Sequence, residues 1–246
     1  MLIGPQNSSA VQSLAARYRE VRAAIAAAAA AAGRNEDCVT LLAVSKGRSA
    51  AAIRALAELG VEHFGENYLQ EALPKLAALA GTVRNWHFIG GLQANKTRGV
   101  AEHFDWAHSI DRLRIAERLA AQRPAGAAPL NVCIEVKLAE VGARSGVSAA
   151  EVPALAGAIL ALPRLRLRGL MCMLPEGLDR ARQIELFSQV RAQYDALNRS
   201  GAQLDTLSMG MSGDFAAAIA AGSTMVRIGT ALFGAAQRAP DPTSDP

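Results

Sequence analysis

In TLLAVSKGRSAAAI, residues 40–53, a lysine follows an apolar run and precedes a glycine. Lys137 closes a second apolar run, NVCIEV, while Lys75 and Lys96 read as helix-surface residues. Two later stretches, SMGMSGD (208–214) and VRIGTALFG (226–234), each combine glycine, a hydroxyl residue and the start of a helical pattern. Such turns aim free backbone N–H groups at one point, where those donors and the positive end of the helix stabilise an anion. A lysine amine kept partly neutral by desolvation or nearby positive charge forms a Schiff base with an aldehyde. The chemistry in prospect is capture of an aldehyde that also carries an anionic group.

Each feature also has a purely structural reading. Ser212 followed by Gly213 and Asp214 reads equally as the N-cap of the helix DFAAAIAAG, and Glu66 and Asn67 of GENY as caps of the helix that follows. The RIGT turn reads as a strand end needing a permissive backbone. His87 in WHFIG reads as a satisfied strand histidine, and the methionines of LMCM and SMGM as packing.

The elements that would position these residues follow a rhythm. An Ala-rich helix over about 8–32, capped by Ser8 or Ser9 and stopped by Gly33, comes first. Eight short apolar runs follow, at 41–45, 62–65, 86–90, 104–110, 131–136, 167–173, 204–209 and 225–229, separated by helical patterns such as AAIRALAELG. Parallel neighbours need helical crossovers, so this alternation predicts an α/β fold, a single (β/α)8 TIM barrel with an extra N-terminal helix, over residues 8–234. An open doubly wound sheet is the rival, but SKGRSAA lacks the GxGxxG of a dinucleotide fold. The segment 235–246, AAQRAPDPTSDP, is expected to be a disordered tail. In a barrel, both Gly-rich stretches and Lys46 fall at the end where such folds keep their sites. An aldehyde with a phosphate describes pyridoxal 5′-phosphate, and a cofactor-free sugar-phosphate aldolase is the alternative.

Composition narrows the classes. With 246 residues, 51% of them hydrophobic, the chain can bury a full core. Three widely spaced cysteines, Cys38, Cys133 and Cys172, indicate neither a disulfide framework nor a zinc site, so a reducing cytoplasm is expected. The start carries no signal-peptide pattern and no run long enough to span a membrane. A net charge of +4 from scattered arginines, with only 4% aromatics, does not favour nucleic acid.

The strings AVSK (43–46), FGENYLQE (64–71), WHFIGGLQANK (86–96), HSIDR (108–112), LRGLM (167–171) and LSMGMSGDFAAAIAAGSTMVRIGTALFG (207–234) closely resemble the pyridoxal phosphate homeostasis protein family. The resemblance runs from about residue 10 to 234 and implies a barrel like the N-terminal domain of alanine racemase, with pyridoxal phosphate bound covalently to Lys46. It implies a phosphate cradle of Ser212, Gly229 and Thr230, with Arg227 facing the pyridine nitrogen and Asn67 as a further contact. An arginine only donates, so Arg227 would leave that nitrogen unprotonated and weaken the ring as an electron sink. Two departures stand out: Gly47-Arg48-Ser49 replaces the family's Thr-Lys-Pro, and Arg144-Ser145-Gly146 its Lys-x-Gly, which adds Arg144 as a candidate contact.

The resemblance implies a carrier and regulator in vitamin B6 and amino-acid homeostasis, with weak racemase or transaminase-like activity as the alternative. Alanine racemase takes its second base from a tyrosine on a separate β-domain; the chain is expected to lack that domain, and Tyr18, Tyr68 and Tyr194 lie in no matching motif. Absence of that domain also predicts a monomer. The expected partners are pyridoxal phosphate and pyridoxal-phosphate-dependent apo-enzymes.

Overall fold

The computed structural model describes residues 5–138 and 145–234. Its strands are β1 (Thr40–Val44), β2 (His63–Glu66), β3 (Asn85–Phe88), β4 (Trp106–Ile110), β5 (Leu130–Glu135), β6 (Leu165–Met171), β7 (Thr206–Ser208) and β8 (Met225–Ile228). All pair in parallel and in sequence order, and β1 pairs with β8 to close the barrel. Each of the eight apolar runs overlaps one strand, with ends differing by up to two residues, so the alternation in the sequence was a sound guide to the fold.

Helices α2 (Ala50–Glu58), α3 (Leu69–Ala78), α4 (Thr97–His103), α5 (Leu113–Gln122), α6 (Val152–Leu160), α7 (Arg180–Arg199), α8 (Phe215–Ala220) and α9 (Thr230–Phe233) follow the strands. They bury one stripe each, as Ile53 and Leu56 of α2 and Leu186, Phe187 and Val190 of α7 illustrate. Side-chain caps start two of them, with Ser49 accepting from the Ala52 N–H and Asp179 from the Arg182 N–H.

The extra helix, α1, spans Pro5–Ala31. It begins before Ser8 and Ser9, so neither serine is its cap; proline at the first helical position needs no N–H acceptor and presets the backbone angle. Its end is as expected. Gly33, at φ +66°, donates to the Ala30 carbonyl, and Arg34 donates back to Ala29. Arg34 also donates to the Ile219 carbonyl and Arg17 to the Leu232 carbonyl, fastening α1 to α8 and α9. The segment 235–246 lies outside the described residues.

The barrel interior is unusually polar. His87, His108, Ser208 and Arg227 are buried inside it beside Trp106, Cys133 and Met171. Other apolar strand residues, such as Leu41, Ala43, Phe64 and Ile134, pack with the helices in a separate core cluster.

Candidate functional site

Because the barrel is parallel, all strand C-termini open on one face. Lys46 stands there two residues beyond β1, and its side chain is exposed and has no hydrogen-bond or ion-pair partner among the described residues. Its backbone, by contrast, is held on both sides. Lys75 Nζ donates to the Ser45 carbonyl at 2.9 Å, and the Gly47 N–H donates to Glu71 at 2.5 Å. Lys75 also donates to Glu71 at 2.5 Å and to Glu66 at 2.8 Å, and the Ser45 hydroxyl reaches the same Glu66 oxygen at 2.6 Å. Lys75 is therefore not the surface residue that its helical pattern predicts: its side chain is 10% exposed and that of Glu66 is fully buried.

Burial raises the Glu66 carboxyl above its usual range, and the hydrogen bonds from Lys75 and Ser45 only partly oppose that. Glu66 caps nothing. The residue that precedes α3 is Tyr68, which makes no side-chain cap, and Glu66 instead anchors the lysine-bearing turn. Asn67 lies beside it with a buried Oδ1 that, like Glu66 Oε2, has no partner among the described residues.

The departures after Lys46 also have structural roles. Arg48 donates to the Gly234 carbonyl and lies over the Phe233 ring, tying the first loop to the end of α9, while Ser49 caps α2. Gly146 packs against the backbone of Glu135 and Lys137, too close for a side chain. Arg144 lies outside the described residues.

Across the β1–β8 seam stand the two Gly-rich turns. Gly210 holds φ +97°, and a Cβ there would sit 2.7 Å from the Ala218 Cβ. This sharp turn sends Ser212 and Gly213 to the surface, where their N–H groups find no backbone acceptor among the described residues. Ser212 is not the cap of α8. That position belongs to Asp214, whose carboxylate instead accepts from the Met211 N–H at 2.5 Å. Thr230 and Ala231 open α9 and are exposed on the same face, and their N–H groups, in a first helical turn, have no acceptor among the described residues. Gly229 precedes them, packed on Val44 of β1.

Arg227 is the buried cation behind these turns. It donates to the Ser208 carbonyl, to Ser208 Oγ at 2.9 Å and to the Cys172 carbonyl at 2.9 Å, with no carboxylate in direct contact among the described residues. Burial lowers its pKa, although a guanidinium stays protonated. Its remaining N–H donors have no acceptor among the described residues. The set matches a flat anionic ligand: an amine on a free arm, N–H groups and hydroxyls at two adjacent turns, and a guanidinium with donors to spare. Among the described residues no group of side chains could hold a metal ion.

Residues 10–237 match the family model for the alanine racemase N-terminal domain. The pyridoxal phosphate homeostasis protein of Pseudomonas aeruginosa is 53% identical over 92% of this chain and 96% of its own length. That of Escherichia coli K12 is 51% identical over 90% and 96%. The chain belongs to the pyridoxal phosphate homeostasis protein family. The structure of PipY from Synechococcus elongatus, solved with PLP bound, is 41% identical and superposes with a TM-score of 0.71 over 80% of this chain and 93% of that one. Alanine racemase from Corynebacterium glutamicum, 17% identical with a TM-score of 0.68, covers 92% of this chain and 62% of that one and shares the fold.

In this member of the pyridoxal phosphate homeostasis protein family, the turns and strand ends singled out in the sequence, from Lys46 and Asn67 to Ser212, Arg227, Gly229 and Thr230, open on or lead to one face. Lys137 also lies at that face, half-buried in the fifth loop, where its backbone N–H donates to Val147. Of the tyrosines, Tyr68 stands at this face, 56% exposed, whereas the Tyr194 phenol donates to the Leu204 carbonyl and Tyr18 borders a cleft at the opposite end. Sequence reasoning missed the Lys75, Glu66 and Glu71 anchor. It also missed His63, His108 and Ser208, although histidines on three consecutive strands, β2, β3 and β4, were a signal in plain view.

Proposed function

We propose that this protein binds pyridoxal 5′-phosphate through Lys46 and acts as a carrier and regulator of that cofactor rather than as an enzyme with robust turnover. The observation that carries the reading is the pairing, across one strand seam, of a lysine and two turns of N–H groups that have no partners among the described residues. When bound, the cofactor supplies an aldehyde and an electron-withdrawing ring. Lys46 is the covalent anchor, and Lys75 and Glu71 hold the backbone on either side of it. Ser212 and Thr230 offer hydroxyls to the phosphate, and the N–H groups around them and Gly229 offer further donors.

Arg227 donates to the ring nitrogen and keeps its own proton, which limits the ring as an electron sink. Asn67 borders the amine side of the pocket, and Arg144 is a further contact in this reading. All the candidate contacts come from one chain, so a monomer suffices. Three free cysteines accord with a reducing, cytoplasmic setting, where apo-enzymes that need the cofactor are the natural recipients.

The test is to load the purified protein with pyridoxal 5′-phosphate, reduce it with borohydride and map the label. Label on Lys46, with a colourless and unlabelled Lys46→Ala variant, is the expected outcome; label on Lys137 refutes the assignment. Transfer is then read by adding an apo-enzyme, which the loaded protein should activate more effectively than an equal amount of free cofactor. Rapid exchange of an amino acid's α-proton into deuterated water, at roughly 1 per second or faster, would replace the carrier reading with that of a racemase.

A further inference from the structure

A chain of hydrogen bonds crosses the barrel interior from Arg227 to the end remote from Lys46. Arg227 Nη1 donates to Ser208 Oγ at 2.9 Å, and Ser208 Oγ lies 2.9 Å from His108 Nδ1. His108 Nε2 lies 2.8 Å from His87 Nδ1, and His87 Nε2 lies 2.9 Å from His63 Nδ1. His63 is half-buried and borders a cleft of about 290 Å³ at the N-terminal end of the strands, beside Tyr18, Glu36 and Glu62. The rings are not free to turn. His87 stacks on Trp106 at 5.0 Å and 15°, and the Arg168 guanidinium, paired with Asp205, lies over the Trp106 ring at 4.6 Å from its centroid.

The order of protons in this chain follows from one end. Arg227 can only donate, so it occupies a lone pair of Ser208 Oγ. Among the described residues the Ser208 hydroxyl proton has one nearby acceptor, His108 Nδ1, and if His108 donated there instead that proton would be buried without a partner. His108 therefore carries its proton on Nε2 and donates to His87 Nδ1. His87 in turn carries its proton on Nε2 and donates to His63. All three rings are neutral in this arrangement, which matches the direction in which burial moves them, His108 down to about 3.

We infer that His108 is a positioning residue for Arg227: acting through Ser208, it fixes where the guanidinium presents its spare donors, and His87 and His63 hold His108 in the tautomer this requires. The inference rests on the reading that Arg227 faces the cofactor ring. It assigns a role to three histidines that no contact with the cofactor would explain.

The first measurement needs no substitution. Nitrogen-15 spectra of histidine-labelled full-length protein should show His63, His87 and His108 protonated on Nε2 and neutral at pH 7.5, and an Nδ1–H form at His87 or His108 overturns the order. The second compares variants loaded with pyridoxal 5′-phosphate. His108→Leu should weaken cofactor retention roughly tenfold and shift the absorption maximum of the bound cofactor, while His108→Asn, which keeps an acceptor toward Ser208, should restore both. Ser208→Ala serves where His108→Leu fails to fold, and should shift the maximum in the same direction.

If Arg227→Leu alters the spectrum but His108→Leu and Ser208→Ala leave it and retention at wild-type values, the positioning role is refuted and the cofactor reading stands. If Arg227→Leu itself changes neither, the ring-nitrogen reading is wrong and the positioning role falls with it.

Discussion

Replacing Lys75 by methionine removes the ammonium that links Ser45, Glu66 and Glu71, at nearly constant volume. Its two carboxylate contacts are unequal. Glu71 is about one-third exposed, so water takes over most of that interaction and the loss there is about 0 to 1 kcal/mol. Glu66 is fully buried and keeps only the Ser45 hydroxyl, so stranding it should cost about 3 to 5 kcal/mol at neutral pH. The Ser45 carbonyl loses a charged donor, adding about 1 kcal/mol.

The pH dependence has a definite sign. The folded-state pKa of Glu66 is already raised and rises further without Lys75, so the folded variant binds a proton that the unfolded chain has released. Stability of Lys75→Met therefore falls as pH climbs from the unfolded carboxylate pKa through the folded one, and its deficit against wild type shrinks toward pH 4.5. Urea unfolding at pH 7.5 and 5 reads both effects. Adding Glu66→Gln should recover at least about 2 kcal/mol at pH 7.5, since no buried charge is then stranded. A Lys75→Met deficit below 1 kcal/mol, or one equally large at both pH values, would refute the argument.

Three further outcomes follow from the geometry. Replacing both Ser212 and Thr230 by alanine should weaken retention of pyridoxal 5′-phosphate by about 1 to 3 kcal/mol per lost charge-assisted bond and leave binding of unphosphorylated pyridoxal almost unchanged; equal losses for the two, measured by equilibrium dialysis, would make the hydroxyls structural. Gly210→Ala, forced to hold φ +97° with its Cβ 2.7 Å from Ala218, should destabilise the fold by about 1 to 3 kcal/mol and loosen the phosphate turn, as thermal melts with and without cofactor would register. Cys38 is exposed whereas burial pushes the Cys133 and Cys172 thiols up to about 12, so one equivalent of maleimide should react quickly at pH 7 and the other two sites only on unfolding.

The sequence located all eight strands because parallel barrel strands are short apolar runs between amphipathic helices, a pattern carried by local residues alone. Lys46, Ser212 and Thr230 stood out because each sits at a strand end or turn whose position follows from that pattern, but the pattern left Lys46 and Lys137 as alternatives, and it was the family resemblance that chose between them. Lys75 was not. Its place in α3 looks solvated until the fold brings Glu66 and Ser45, from two other elements, against it. The histidines of β2, β3 and β4 were visible as residues on successive strands, but their link to Ser208 and Arg227 on β7 and β8 was not, since it depends on barrel closure and inward facing. Sequence periodicity does not record which polar residues meet inside.

The seam between β1 and β8 joins the first strand of the barrel to the last. Lys46 lies on one side of it, and Arg227 and Thr230 lie on the other, some 180 positions later in the chain. A chain still being synthesised can expose the lysine long before the residues that would hold the phosphate have left the ribosome. If Lys46 is the anchor proposed above, capture of the cofactor would report that both ends of the barrel have met, and a chain truncated before β8 would carry the lysine without the turn proposed to hold the phosphate.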